Sequence, residues 1–300
     1  MPGLEIELKA GLDPASASLL VRRLNRSAGR SRTLSLAATY FDTAERTLES
    51  AGLALRVRRE GRAWIQTVKW ARTGEGGFHA VQEAEGRVAG PEPDLDLLGD
   101  PMLRSRLEEL LARDGLSPWF TTTVRRRIWT IRHARGLVEV ALDSGQIEAG
   151  ALAEPVLEAE FELKQGAPEA VFLVAADLLG DLPVDLLLPS KAARGARLAD
   201  GGSPLTRAHR PARPDPDTAA ATSWRTALSV LARTVAAELH RLLTDEDPEG
   251  PHQLRVALRR LRVLERVHRP ILDPDVSKDV SQGARRIGRL VAPLRDSDVL

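Results

Sequence analysis

The 300-residue chain contains no cysteine, which excludes disulfides and thiolate metal centres together. Any bound metal must be held by oxygen or imidazole, a donor set that favours Mg²⁺ or Mn²⁺ over structural zinc. Aromatic residues make up only 4%, which argues against a surface that stacks nucleic-acid bases. No apolar run approaches the roughly 18 residues of a membrane span, and the N-terminus lacks the basic-then-apolar layout of a secretory signal. A cytoplasmic protein with no membrane partner is expected. Lysine is scarce beside arginine, so Lys9, Lys69, Lys164 and Lys191 stand out individually. The rest is ordinary for a globular protein: 43% hydrophobic residues, a formal net charge of +1 and length enough for two domains.

Residues 1–200 read mostly as strands joined by turns, with helical stretches near 14–26, 102–114 and 168–179, which predicts one α+β domain. Residues 201–219 are rich in Gly, Pro, Arg and Asp and carry no apolar period, as a linker does. Residues 220–300 have helical apolar spacing broken at Asp247-Pro248, Gly250-Pro251 and Asp273-Pro274, which predicts an all-α domain of three helices.

The strands of the first domain share one theme. In Glu5-Ile6-Glu7-Leu8-Lys9, alternation puts two carboxylates and an ammonium on one face, with Ile6 and Leu8 on the other. Arg56 and Arg58 share a face of the next charged strand, Lys69 lies on the face of Thr67, and Glu83, Glu85 and Arg87 are co-facial. Glu139 and Asp143 flank Ala141, and Glu158, Glu160, Glu162 and Lys164 face away from Ala159, Phe161 and Leu163. A single such strand is the solvated edge of an antiparallel sheet. Six of them, with apolar opposite faces, suit a closed barrel whose helices pack outside and whose interior is a hydrated tunnel of acids facing bases. That lumen suits a polyanion, since Arg and Lys hold phosphate oxygens and clustered carboxylates hold hard cations that bridge the same phosphates.

These segments, followed by Thr39-Tyr40-Phe41-Asp42, Gly52–Arg58, Gln66–Lys69, Thr121–Trp129, Ala141–Gly145 and Pro189–Gly195 in that order, resemble the CYTH domain, the family of triphosphate tunnel metalloenzymes. The resemblance spans about 200 residues and implies an eight-stranded antiparallel barrel tunnel with flanking helices. Carried over position by position, it implies that Glu5, Glu7, Asp143, Glu158 and Glu160 bind metal, with Glu162 replacing Glu158 if the register of the last strand shifts. It implies that Lys9, Arg56, Arg58, Lys69, Arg126 and Lys191 grip the triphosphate, with Glu83 among the substrate contacts. Glu5, Glu7, Lys9, Arg56, Arg58 and Arg126 form the expected catalytic set. One departure is visible: Val81 stands where many relatives carry an arginine, and Arg87 or Arg72 is the available substitute.

In the second domain, His252, Arg255, Arg259, Arg262 and Arg266 fall on one helical face, while Leu254, Ala257, Leu258, Leu261 and Leu264 form a separate apolar stripe. Like charges in file repel by a few tenths of a kcal/mol per pair, so the file points to an anionic partner rather than a plain solvated face. Arg285, Arg286 and Arg289 extend the basic theme. The run from His252 to Arg262, with Leu294–Leu300, resembles the opening of a CHAD domain, which implies that His252, Arg255, Arg259 and Arg262 contact inorganic polyphosphate. Because known CHAD domains are longer, residues 220–300 correspond to the N-terminal part of one.

Together these readings predict a metal-dependent inorganic triphosphatase using Mg²⁺ or Mn²⁺, with a polyphosphate-binding helical appendage. A non-catalytic polyphosphate receptor, and a tunnel enzyme acting on thiamine triphosphate or on ATP as an adenylate cyclase, are the alternatives. Nucleic-acid binding through the arginine stripe is disfavoured by the scarcity of aromatics.

Overall fold

Strands that carry acids and bases on one face can enclose that face by closing into a ring, and this chain does so. The structure, a computed structural model, describes residues 3–73, 78–112, 115–180, 182–185, 189–201 and 250–292, with scattered positions between 224 and 242. Its strands are β1 (Gly3–Leu12), β2 (Arg32–Asp42), β3 (Ala54–Glu60), β4 (Ala63–Thr73), β5 (Phe78–Val88), β6 (Ser117–His133), β7 (Gly136–Ala149), β8 (Leu152–Gly166) and the two-residue β9 (Val184–Asp185). Antiparallel neighbours run β5-β4-β3-β2-β6-β7-β8-β1, and β1 pairs again with β5, Glu5 opposite Val81, to complete an eight-stranded barrel. β9 only extends the edge of β1 at Gly11 and Leu12.

Helices cover the apolar outer face. α1 (Pro14–Ala28) and α4 (Glu169–Leu179) bury Leu20, Leu24, Val171 and Val174 against Leu8, Val138, Val140 and Phe161 of the barrel. Side chains of this size contribute about 1.5–3 kcal/mol each on burial. α2 (Thr47–Ser50) and α3 (Pro101–Leu111) place Leu48, Leu103 and Leu107 over Leu55, Val57, Val68 and Ala84. Caps written in the sequence start these helices. Asp13 accepts from Ser16 N at 2.6 Å ahead of Pro14, and Asp100 accepts from Met102 N at 3.0 Å ahead of Pro101. The helices anticipated near 14–26, 102–114 and 168–179 correspond to α1, α3 and α4.

Two helices were not legible. α2 is four residues long and is held by Asp42, whose carboxylate accepts from Leu48 N and Glu49 N at 2.9 Å each. α5 (Lys191–Ala199) begins at the cap Ser190 and packs across the barrel, its Leu198 meeting Tyr40, Phe120, Ile147 and Val156. Tyr40 and Phe120 stack with ring centroids 4.4 Å apart. The helix can sit so close only because position 195 is glycine: a Cβ there would lie 2.1 Å from the Phe120 ring.

The chain divides into two compact units, Met1–Pro204 and Leu205–Leu300. The second is helical at every described position between 224 and 242 and in α6 (Gly250–His268) and α7 (Pro274–Val291). Leu254, Ala257 and Leu258 of α6 pack on Ala284 and Val291 of α7 and on Val235. Buried Glu265 ties α6 to α7, accepting from Ser277 Oγ at 2.5 Å and Arg269 Nε at 2.9 Å. The expected linker, apart from Gly201, the Asp247-Pro248 turn and Leu294–Leu300 lie outside the described residues. Among the described residues no helix is long and apolar enough to cross a membrane.

The Phe120 contact yields a signed prediction. Alanine in place of a helical glycine ordinarily stabilises by about 1 kcal/mol, whereas overpacking a tight contact costs about 1–3 kcal/mol. Gly195→Ala should therefore lower the urea midpoint, and a raised midpoint would show that α5 does not rest on Phe120.

Candidate active site

Inward positions of the barrel strands converge on a cavity of about 520 Å³. Each residue expected to grip phosphate, Lys9, Arg56, Arg58, Lys69, Arg126 and Lys191, lines it, as does Glu83. Of the five carboxylates expected to bind metal, Glu5, Glu7, Asp143 and Glu160 line it, whereas Glu158 lies behind the wall at 1% exposure. Glu162, the alternative to Glu158, also lines the cavity and pairs with Lys164 at 2.6 Å.

On one side of the cavity the charges form a continuous network. Asp143, Glu158 and Glu160 each offer an oxygen within 4.8 Å of the others. Lys191 Nζ lies 2.7 Å from Asp143 and 2.8 Å from Glu160 and also bonds Glu158. Arg126 makes a two-pronged contact to Asp143 at 2.8 and 2.7 Å and reaches Glu160. Lys9 joins Glu160 at 2.6 Å to Glu7 at 2.7 Å. Burial opposes the charge on Glu160, but Lys191, Lys9 and Arg126 outweigh it and hold its pKa well below the carboxylate range. Asp143 is lowered likewise, with burial opposed by Lys191 and Arg126. Burial also opposes charge on Lys9 and Lys191, and the surrounding carboxylates raise both above the ordinary lysine value. Asp143 and Glu160, with lowered pKa values, and Lys9 and Lys191, with raised ones, are charged at neutral pH.

The other side is less evenly balanced. Lys69 pairs with Glu83 at 2.7 Å and with Glu5, which lies across the barrel seam. Arg58 pairs with Glu60 and approaches Glu85 at 3.7 Å, and Thr67 Oγ1 donates to Glu85 at 3.0 Å. Burial and the adjacent Arg56 lower the pKa of Arg58. Among the described residues the buried Nε groups of Arg56 and Arg58 find no hydrogen-bond acceptor. A buried donor left unsatisfied costs about 1–3 kcal/mol, more when charged.

One wall reverses the pattern. Leu34, Leu36, Ala38 and Tyr40 of β2 and Phe120, Val124 and Ile128 of β6 line the cavity, while Thr33, Ser35 and Ala37 face solvent. In the ring order this apolar wall stands across from β1 and β5. Arg32, Thr122 and Arg126 interrupt it with polar groups on the same inward faces. Val81 lines the cavity at 1% exposure. Arg87 is exposed and does not line the cavity, so it does not replace the missing cation; the side chain of Arg72 lies outside the described ones.

Sequence reasoning missed Arg194. From α5 it donates to Glu154 at 2.6 Å, Glu158 at 2.7 Å and Pro155 O at 2.8 Å, fixing the helix to β8. The Pro189–Gly195 motif contained it, but nothing local names its partners. On α6, His252, Arg255, Arg259 and Arg266 are exposed and Arg262 is half-buried, a basic face within the second unit.

Residues 3–195 match the model of the CYTH domain, and residues 226–300 match that of the CHAD domain. An inorganic triphosphatase of Haemophilus influenzae is 30% identical over 198 residues, covering 64% of this chain and 54% of that protein. The chain thus spans about half the length of that curated relative. Among solved structures, a candidate adenylyl cyclase of Hippeastrum with a dominant triphosphatase activity is 21% identical, with a TM-score of 0.46 over 67% of this chain and 97% of its own. A candidate adenylate cyclase of Bacillus halodurans is 20% identical, with a TM-score of 0.41 over 60% and 89%.

Removing one partner from a buried ion pair costs about 3–5 kcal/mol. Arg194→Met should destabilise by about that much in urea unfolding, and adding Glu158→Gln should restore part of the loss. Full stability of the single variant would show that Arg194 does not hold α5.

Proposed function

The chain belongs to the CYTH domain family over residues 3–195, and on that premise we propose that it is an inorganic triphosphatase that works with a divalent cation inside the barrel. The observation that carries this reading is the pair of buried guanidinium Nε groups on Arg56 and Arg58 that lack acceptors among the described residues, in a cavity where Lys9, Lys69, Arg126 and Lys191 are each ion-paired. Tripolyphosphate supplies the missing oxygens. Its hydrolysis consumes one water, breaks one anhydride P–O bond and yields phosphate and pyrophosphate, so no protein nucleophile is needed.

The residues present fit a hard cation. Asp143, Glu158 and Glu160 offer clustered carboxylate oxygens, and no His, Cys or Met lines the cavity among the described residues. Glu5, Glu7, Asp143, Glu158 and Glu160 would hold Mg²⁺ or Mn²⁺. Such an ion would supply Lewis-acid stabilisation of the charge developing on the phosphates. Arg56, Arg58, Arg126, Lys9, Lys69 and Lys191 orient the chain of phosphates and stabilise the negative charge of the transition state. Val81 is the observation that favours the second reading, a non-catalytic polyphosphate receptor, because an apolar side chain weakens the grip on one phosphate. The exposed face of His252, Arg255 and Arg259, with Arg262, suits inorganic polyphosphate held through its charges. The proposed setting is the cytoplasm.

Purified protein should release phosphate from tripolyphosphate with Mg²⁺ or Mn²⁺ and not with a chelator, and faster than from ATP, thiamine triphosphate or long polyphosphate. Absence of metal-dependent turnover on all four would sink the enzyme reading. Glu5→Gln with Glu7→Gln should abolish turnover, while a receptor would keep its affinity and show no turnover to lose. Arg56→Met should lower kcat about 10²- to 10³-fold, or about 2.7–4 kcal/mol, with little change in stability. Arg255→Glu with Arg259→Glu should weaken long-chain polyphosphate binding, measured by filter retention at low salt, and leave tripolyphosphate turnover intact.

A further inference from the structure

Lys191 reaches three buried carboxylates at once, whereas Arg126 reaches two of them, Asp143 and Glu160, and Lys9 and Arg194 one each. Among the described residues the three ion-pair partners of Lys191, Asp143, Glu158 and Glu160, make up the carboxylate cluster that suits a metal. Lys9 is shared with Glu7, and Arg194 is shared with Glu154 and a backbone carbonyl. Arg126 grips Asp143 with both prongs of its fork.

A site bounded by three oxygens within 4.8 Å of one another has room for one cation. An ammonium sits about 2.7–2.9 Å from its oxygens and Mg²⁺ about 2.0–2.1 Å, so both claim the same space. Charge adds to the conflict. The three carboxylates already face Lys191, Arg126, Arg194 and Lys9, and a divalent ion added to that balance would leave the cluster strongly positive.

We propose that the Lys191 ammonium is the resting occupant of the carboxylate cluster, and that the divalent cation enters by displacing it into the tunnel, where it meets phosphate. This rests on the metal-dependent triphosphatase reading. The route is open: Lys191 is the first residue of α5, borne on a flexible four-carbon stem, and its side chain lines the cavity. Arg194, held by three acceptors on β8 and absent from the lining, has no such exit. Metal and triphosphate then bind interdependently, because the polyanion supplies a new partner for the lysine that the metal evicts.

Two measurements test the exchange. Mn²⁺ binding to the metal-free protein, followed by electron paramagnetic resonance of free Mn²⁺ without triphosphate, should be at least about tenfold tighter in Lys191→Met than in wild type. Thermal unfolding of metal-free Lys191→Met should rise more steeply with added Mn²⁺ than that of wild type. In the wild-type chain, acylation of Lys191 by an amine-reactive ester, read by mass spectrometry against Lys278, should rise when Mn²⁺ is saturating. Equal or weaker Mn²⁺ affinity in a folded Lys191→Met protein, or unchanged Lys191 reactivity with Mn²⁺ bound, overturns the exchange and leaves the triphosphatase reading standing. Absence of Mn²⁺ binding to both proteins, with or without tripolyphosphate, overturns the metal-dependent reading and the exchange together.

Discussion

Enclosing many charges in a protein interior is tolerable only when nearly all are paired, since an isolated buried charge costs several kcal/mol or more. The rest of this barrel follows from that constraint. Strand alternation gives each strand two faces, and the helices α1, α3 and α4 need the apolar one. The acids and bases are thereby committed to the inside. There they neutralise each other across strands distant in sequence, as Lys69 does with Glu5 and Lys191 with Asp143.

Pairing is not uniform, and the exceptions carry function. Asp143, Glu158 and Glu160 are saturated with cations, whereas Arg56 and Arg58 keep buried donors without acceptors. On the proposed reading, the lysine holds the cation site and the anion site awaits a ligand that brings both charges, as a metal–triphosphate pair does.

Much of the barrel was legible because period-two alternation is a local property: Glu5, Glu7 and Lys9 share a face whatever else the chain does. Which face is interior required the helices, whose Pro and Asp caps are also local signals. Cross-barrel partners were not legible. The pairing of Lys69 with Glu5 depends on β1 closing onto β5, and that of Arg194 with Glu158 on how α5 is seated. β2 escaped the pattern because its alternation is reversed: Leu34 and Leu36 turn inward while Thr33 and Ser35 meet solvent. Glu158 belongs to the carboxylate cluster yet not to the cavity lining, a distinction of depth that alternation does not encode.

The central claim is that the barrel interior receives triphosphate and metal together. A crystal structure grown with tripolyphosphate and Mn²⁺, with Mn²⁺ located by anomalous scattering, tests it most directly. The account predicts an anomalous peak beside Asp143 and Glu160 and phosphate oxygens on the guanidinium groups of Arg56 and Arg58. A barrel without either, with tripolyphosphate bound only along the arginines of α6, would contradict it.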